Sequence, residues 1–181
     1  SGHLANVGYE MYLQLLDEAV REEKGEVNVH REECLVDIRI DAYIPETYIS
    51  NQAQRVDCYR KIARIQTEED SYDVIDELID RYGEPPASVK GLVDVARLRN
   101  MASASGIVEI SQNGDDMIFY LSKFDMAKLS AVTAAVGSRM RLETVGRPRM
   151  LVSVKSGEKS LDIMKTVINA MDGAGKPQAD G

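Results

Sequence analysis

The stretch DVIDELIDRYGEPPASVKGLVDVARLRN, residues 73–100, decides how this chain is read. Asp73, Asp76, Glu77 and Asp80 fall with Arg81 inside nine residues, and the run then breaks at Gly83-Glu84-Pro85-Pro86. At about 100° per residue, Tyr72, Val74, Ile75, Leu78, Ile79 and Tyr82 share one half of a helix, and the four acids share the other. The apolar half is expected to face the core. Thr67 followed by Asp70 has the form of a capping box, and Glu68, Glu69 and Asp70 occupy a first turn where the helix dipole favours anions. The acidic helix therefore starts near residue 68. Gly83 suits the position after a helix end, and Pro85-Pro86 forbids continuation while pre-setting the start of a second helix over 87–104.

On the N-terminal side, Asn6 can cap a helix over 7–24, with Val7, Met11, Leu15, Leu16, Ala19 and Val20 at helical spacing and Gly25 as its stop. LVDIRIDAYI, residues 35–44, alternates Val36, Ile38, Ile40 and Ala42 with Asp37, Arg39 and Asp41, which predicts a half-buried strand ended by Pro45. NQAQRVDCYRKIARI, residues 51–65, predicts a helix with Val56, Tyr59, Ile62 and Ala63 as its stripe.

On the C-terminal side the period changes. GIVEIS and MIFYLS flank Asn113-Gly114, a strong hairpin signal. KFDMAKLSAVTAAVG reads as a small helix closed by Gly137. RMRLETV and RMLVSVK form a second hairpin about Gly146-Arg147-Pro148, and KSLDIMKTVINAM is a last helix ending before Gly173. The expected fold is α+β. A helix-rich half with one strand runs to about residue 105, and residues 106–172 form β-hairpin/helix units on a mostly antiparallel sheet. Residues 1–172 are read as a single domain, and the small, polar 173–181 as a flexible tail.

Composition narrows the function. The chain has 181 residues, 44% hydrophobic and 29% charged, with a net charge of -8. Such a surface argues against direct nucleic-acid binding, which draws on Lys and Arg displacing counterions from phosphates. No apolar run approaches the ~18 residues of a membrane span, no signal segment opens the chain, and a cytoplasmic location is expected. Cys34 and Cys58 lack metal-ligand spacing and read as buried thiols in a reducing compartment. The start at Ser1-Gly2-His3 suggests a piece of a longer protein.

Catalytic constellations do not assemble. His3 and His30 are the only histidines, and neither lies near a glycine-elbow serine. GAGKP has the end of a phosphate loop, but the first glycine of that motif would fall on Ala170. The tyrosines are expected in the core rather than stacking bases. Asp73, Asp76, Glu77 and Asp80 could hold a divalent cation as a metal-dependent enzyme would, yet no second carboxylate motif is placed to face them. Residues 68–84 carry eight acids against Arg81 alone, a local balance of -7. The two remaining readings are a solvated face and a dock for a basic protein surface.

VGYEMYLQLLDEAV, then DAYIPETYI with RVDCYRKIA, then ELIDRYGEPPASVKGLVDVARLR together resemble the C-terminal domain of the bacterial transcription-repair coupling factors, the Mfd family, over residues 3–105. The resemblance implies a parent that is an ATP-driven duplex-DNA translocase in nucleotide excision repair, acting on stalled RNA polymerase and recruiting UvrA. ATP and Mg²⁺ would belong to the parent's motor domains, and no cofactor is expected in this piece. It implies a non-catalytic, autoinhibitory domain that packs on the parent's N-terminal UvrB-like module and masks the UvrA-binding surface. Glu77 and Asp80 of ELID become the first expected contacts for arginines of that module. Asp73 and Asp76 support them, and Arg81 braces the acids. The alternatives carried beside it are the metal-dependent enzyme and a generic protein-interaction module.

Overall fold

The computed structural model describes Gly8, Tyr12, Leu15 and residues 33–176. Gly8, Tyr12 and Leu15 are helical and buried; the rest of the helix expected over 7–24 lies outside the described residues. The chain divides into two compact units, Ser1–His30 with Asp41–Arg97, and Arg31–Ile40 with Leu98–Gly181.

The first unit is helical. Helix α1, Gln52–Ala63, starts where the Asn51 side chain accepts the backbone N–H of Gln54 at 3.0 Å, and it buries Cys58, Tyr59, Ile62 and Ala63. Val56, the other residue expected on that stripe, is half-buried. Under α1 the Tyr59 hydroxyl accepts the Ile44 N–H at 2.8 Å. A Cβ on Gly8 would lie 2.5 Å from Tyr43 Cβ and 2.8 Å from the same hydroxyl, so the close approach admits only glycine. Helix α2, Glu68–Tyr82, is the acidic helix. Helix α3, Ala87–Ala104, is buried almost all round between Gly91 and Arg99, and the division between the units falls within it.

The second unit is built on a five-stranded sheet. Strands β1 (Leu35–Asp37), β2 (Ile107–Asn113), β3 (Asp116–Leu121), β4 (Met140–Glu143) and β5 (Arg149–Ser153) lie in the order β1-β2-β3-β5-β4. The β1–β2 pair is parallel and the other pairs are antiparallel. Both expected hairpins are present and share this one sheet. Asn113 is the last residue of β2 rather than a turn residue. Gly114 and Asp115 form the loop, with positive φ at Gly114 alone, as a type II′ turn requires. Helix α4, Met126–Val136, is capped by Asp125 and ends at Gly137, φ 64°. It packs on helix α5, Ser160–Gly175, and α5 touches β3. Val36, Ile110, Phe119 and Met150, neighbours across four strands, are buried in one row of the sheet. The alternate row carries Glu109, Tyr120, Arg149 and Glu143. There Arg147 donates to Glu109 at 2.8 Å and lies 4.1 Å over the Tyr120 ring.

Two boundaries differ from expectation. The strand expected over 35–44 forms a ladder only at Leu35–Asp37, although alternate burial continues through Ile38, Ala42 and Ile44. Its partner β2 runs out at the hairpin, and side chains replace the ladder there. The Arg39 N–H donates to Gln112 Oε1 at 3.1 Å, and its guanidinium to the Gly114 carbonyl at 2.9 Å. Helix α5 continues past Gly173 to Gly175, and Lys176 pairs with Asp172 at 2.7 Å across its last turn.

Tyr59→Phe leaves the buried Ile44 N–H without its acceptor. It should cost about 1–3 kcal/mol in urea unfolding with an unchanged slope. A cost near zero would mean that this bond holds nothing.

Candidate docking face on the acidic helix

Helix α2 is fixed first by its start. The Thr67 hydroxyl accepts the Asp70 N–H at 3.1 Å, and the Asp70 carboxylate accepts the N–H groups of Thr67 (2.9 Å) and Gln66 (3.0 Å). Those backbone bonds, Gln66's first, hold the Asp70 carboxyl below its ordinary range. The capping box read from Thr67 and Asp70 is therefore complete. At the other end Gly83 takes φ 84°, and its N–H bonds to the Ile79 carbonyl at 3.0 Å. The Tyr48 hydroxyl lies 2.8 Å from the Gly83 carbonyl and 3.3 Å from that of Leu78, and its ring meets Tyr82 edge-on at 5.9 Å.

The face opposite Leu78 carries the acids. Asp73, Asp76 and Asp80 are exposed, and none has a hydrogen bond or ion pair in the described structure. Glu77 is different. It accepts from Lys61 Nζ of α1 and from Arg81 Nη1 at 3.2 Å. The Lys61 bond is the main reason its carboxyl lies below the ordinary glutamate value. Arg81 also lies 5.0 Å from the centre of the Tyr82 ring. The expected bracing role of Arg81 thus falls on Glu77, while the three aspartates face water unpaired. An arginine approaching Glu77 has to share it with two resident cations; one approaching Asp80 or Asp76 does not.

The expectation that the apolar half of α2 faces the core is corrected. Only Ser71 and Leu78 are buried; Val74, Ile75 and Tyr82 are half-buried, Tyr72 is 60% exposed and Ile79 40% exposed. Tyr72 is equally an exception to the expectation of core tyrosines. Six apolar positions over half a helix form a wider band than one supporting surface covers, so its margin is left in solvent. That margin adjoins Asp76, roughly 40° from Tyr72 around the helix axis. Lys61 and Tyr48, which hold α2 in place, lie in the runs RVDCYRKIA and DAYIPETYI, but nothing in those runs links them to α2. A lysine on the last turn of the preceding helix was the one visible hint of an opposite charge for Glu77.

The other readings find little to build on. Among the described residues, no group of three or more His, Cys, Asp or Glu is arranged to hold a metal ion, and no helix is long and apolar enough to cross a membrane. Cys34 and Cys58 are buried and unbonded to each other, and burial pushes their thiols up to about 12 and about 11. Neither is a poised nucleophile.

Known proteins resemble this chain over half of its length or more. The family described as the TRCF domain matches residues 38–132. A transcription-repair-coupling factor of Staphylococcus haemolyticus (strain JCSC1435) is 30% identical over 180 residues, which is 96% of this chain and 15% of that protein. One from Staphylococcus aureus (strain USA300) is 30% identical over 178 residues, 94% of this chain and 15% of the other. The chain thus spans about 15% of the length of these curated relatives. In fold it resembles the crystal structure of the C-terminal domain of a transcription-repair coupling factor. The TM-score is 0.68 at 21% identity, covering 78% of this chain and 91% of that one.

Lys61→Ala removes the main donor to Glu77. Carboxyl-carbon NMR titration should then show the Glu77 pKa rising toward its ordinary 4.5. A lowered folded-state pKa gives stability that is full above 4.5 and fades as pH falls through the lowered value. The stability difference between wild type and Lys61→Ala should shrink in the same acid window. At neutral pH it should stay under about 1 kcal/mol, because the pair is exposed. An unmoved Glu77 titration would contradict the pairing.

Proposed function

Because the chain belongs to the TRCF domain family, we propose that it is the C-terminal regulatory domain of an ATP-driven DNA translocase that couples transcription to nucleotide excision repair. In this reading it docks on the parent's N-terminal UvrB-like module and masks the surface that UvrA would otherwise bind. The domain itself carries no catalysis; ATP hydrolysis and the contacts with duplex DNA and RNA polymerase belong to other parts of the parent. One observation carries the docking reading: a helix capped at its start presents three carboxylates, Asp73, Asp76 and Asp80, that are unpaired among the described residues. Glu77 stands at the edge of that row, already neutralised in part.

The energetics suit a reversible mask. An exposed ion pair contributes about 0.2–1 kcal/mol, so a few of them hold weakly. Tethering in one polypeptide raises the effective concentration to the order of millimolar, which keeps such a contact closed at rest. Displacement then needs only a competing contact or a movement of other domains, because little energy is lost when the pairs open. Clustered like charge also speeds re-docking at low ionic strength.

Glu77→Lys with Asp80→Lys should weaken binding of this chain to the isolated UvrB-like module by at least about tenfold in calorimetry. The wild-type affinity should fall steadily as salt rises. Equal binding by the double variant would remove Glu77 and Asp80 from the interface. A salt-independent affinity would remove the electrostatic reading itself.

A further inference from the structure

Charge does not account for two side chains on α2. Tyr72 and Ile79, 60% and 40% exposed, lie seven residues apart on one stripe, with Asp76 between them and Asp80 beside them. Tyr72 is not a loose side chain. Its hydroxyl donates to Glu68 Oε1 at 3.0 Å, one turn earlier, so the ring is tied to the helix before any partner arrives. A lone exposed apolar residue is ordinary on a protein surface. An aromatic ring held in place, a branched aliphatic in line with it and unpaired carboxylates along one side together have the make-up of an interface: apolar centre, charged rim, tyrosine as anchor.

We propose that Tyr72 and Ile79 are the apolar anchor of the docking face, and that the partner surface is an apolar depression bordered by arginines. This rests on the docking reading above and specifies the chemistry of its partner. The acids select a cationic rim. The ring beside them selects guanidinium over ammonium, because a planar guanidinium can lie on an aromatic face and still reach a carboxylate with its N–H donors. A second copy of this chain would bring the same unpaired aspartates to the contact and is disfavoured as the occupant.

The test is calorimetric binding of the wild-type chain and of Tyr72→Ala, Ile79→Ser and Tyr72→Phe to the parent's UvrB-like module at two salt concentrations. Urea unfolding of each variant shows that the fold is retained. Each of the first two variants should bind about tenfold more weakly, with the salt dependence of the wild type preserved. Tyr72→Phe keeps the ring but loses its tie to Glu68, and should bind between Tyr72→Ala and wild type. Replacing the rim arginines of the module by lysine should weaken wild-type binding and should weaken binding of Tyr72→Ala much less. Binding by Tyr72→Ala and Ile79→Ser equal to wild type would overturn the anchor and leave the docking reading standing. Absence of any wild-type binding would overturn the docking reading and the anchor with it. Sedimentation should show a monomer, and a dimer abolished by Tyr72→Ala would assign the stripe to self-association instead.

Discussion

The turn at Gly83 sets the position of everything the acidic helix presents. An L-residue with a side chain resists φ 84°, so glycine ends α2 at that point, and Pro85-Pro86 prevents the helix from resuming in the same direction. Tyr48 then holds the turn from outside, its hydroxyl between the carbonyls of Leu78 and Gly83. Burial raises the Tyr48 pKa, and the hydroxyl remains a proton donor across the physiological range. The Thr67–Asp70 box fixes the opposite end. A helix pinned at both ends carries its exposed residues at set spacing and angle, which a loop with the same charges would not.

The same helix is only lightly buried along its length. Ser71 and Leu78 are its buried residues, whereas α3 is enclosed over most of its course. Between those two designs lies a division of labour within the helical unit, with α3 supplying core and α2 supplying surface. Glu77 serves the scaffold as well as the surface, because its bond to Lys61 ties α2 to α1 while Arg81 pairs with it along α2. The net effect of that tie is to lower the charge available at one edge of the face and to leave Asp73, Asp76 and Asp80 as its most accessible anions. A docking contact built from them would be weak per pair and sensitive to ionic strength, which suits the proposed reversible mask.

Much of this was legible in the residues. The capping box, the glycine stop and the double proline bound α2 and α3 correctly because each acts locally, through one side chain or one forced φ. Asn113-Gly114 located the first hairpin for the same reason. What a local pattern could not show was which partner surface each element meets. The alternation of residues 35–44 records which side chains are buried, and that holds through Ile44, but not how many of them find a ladder partner. Likewise the apolar spacing of α2 marked six residues as candidates for the core. How wide a band is covered depends on the neighbouring elements, so Tyr72 and Ile79 came out exposed. Lys61 is distant in sequence from Glu77, and no spacing rule links residues on two different helices.

The most direct measurement is an amide NMR titration of the ¹⁵N-labelled chain with the unlabelled UvrB-like module. The account predicts shifts concentrated between Glu69 and Gly83, largest near Asp76 and Asp80, and reversed by added salt. Shifts confined to the sheet residues of the second unit, with α2 unmoved, would contradict it.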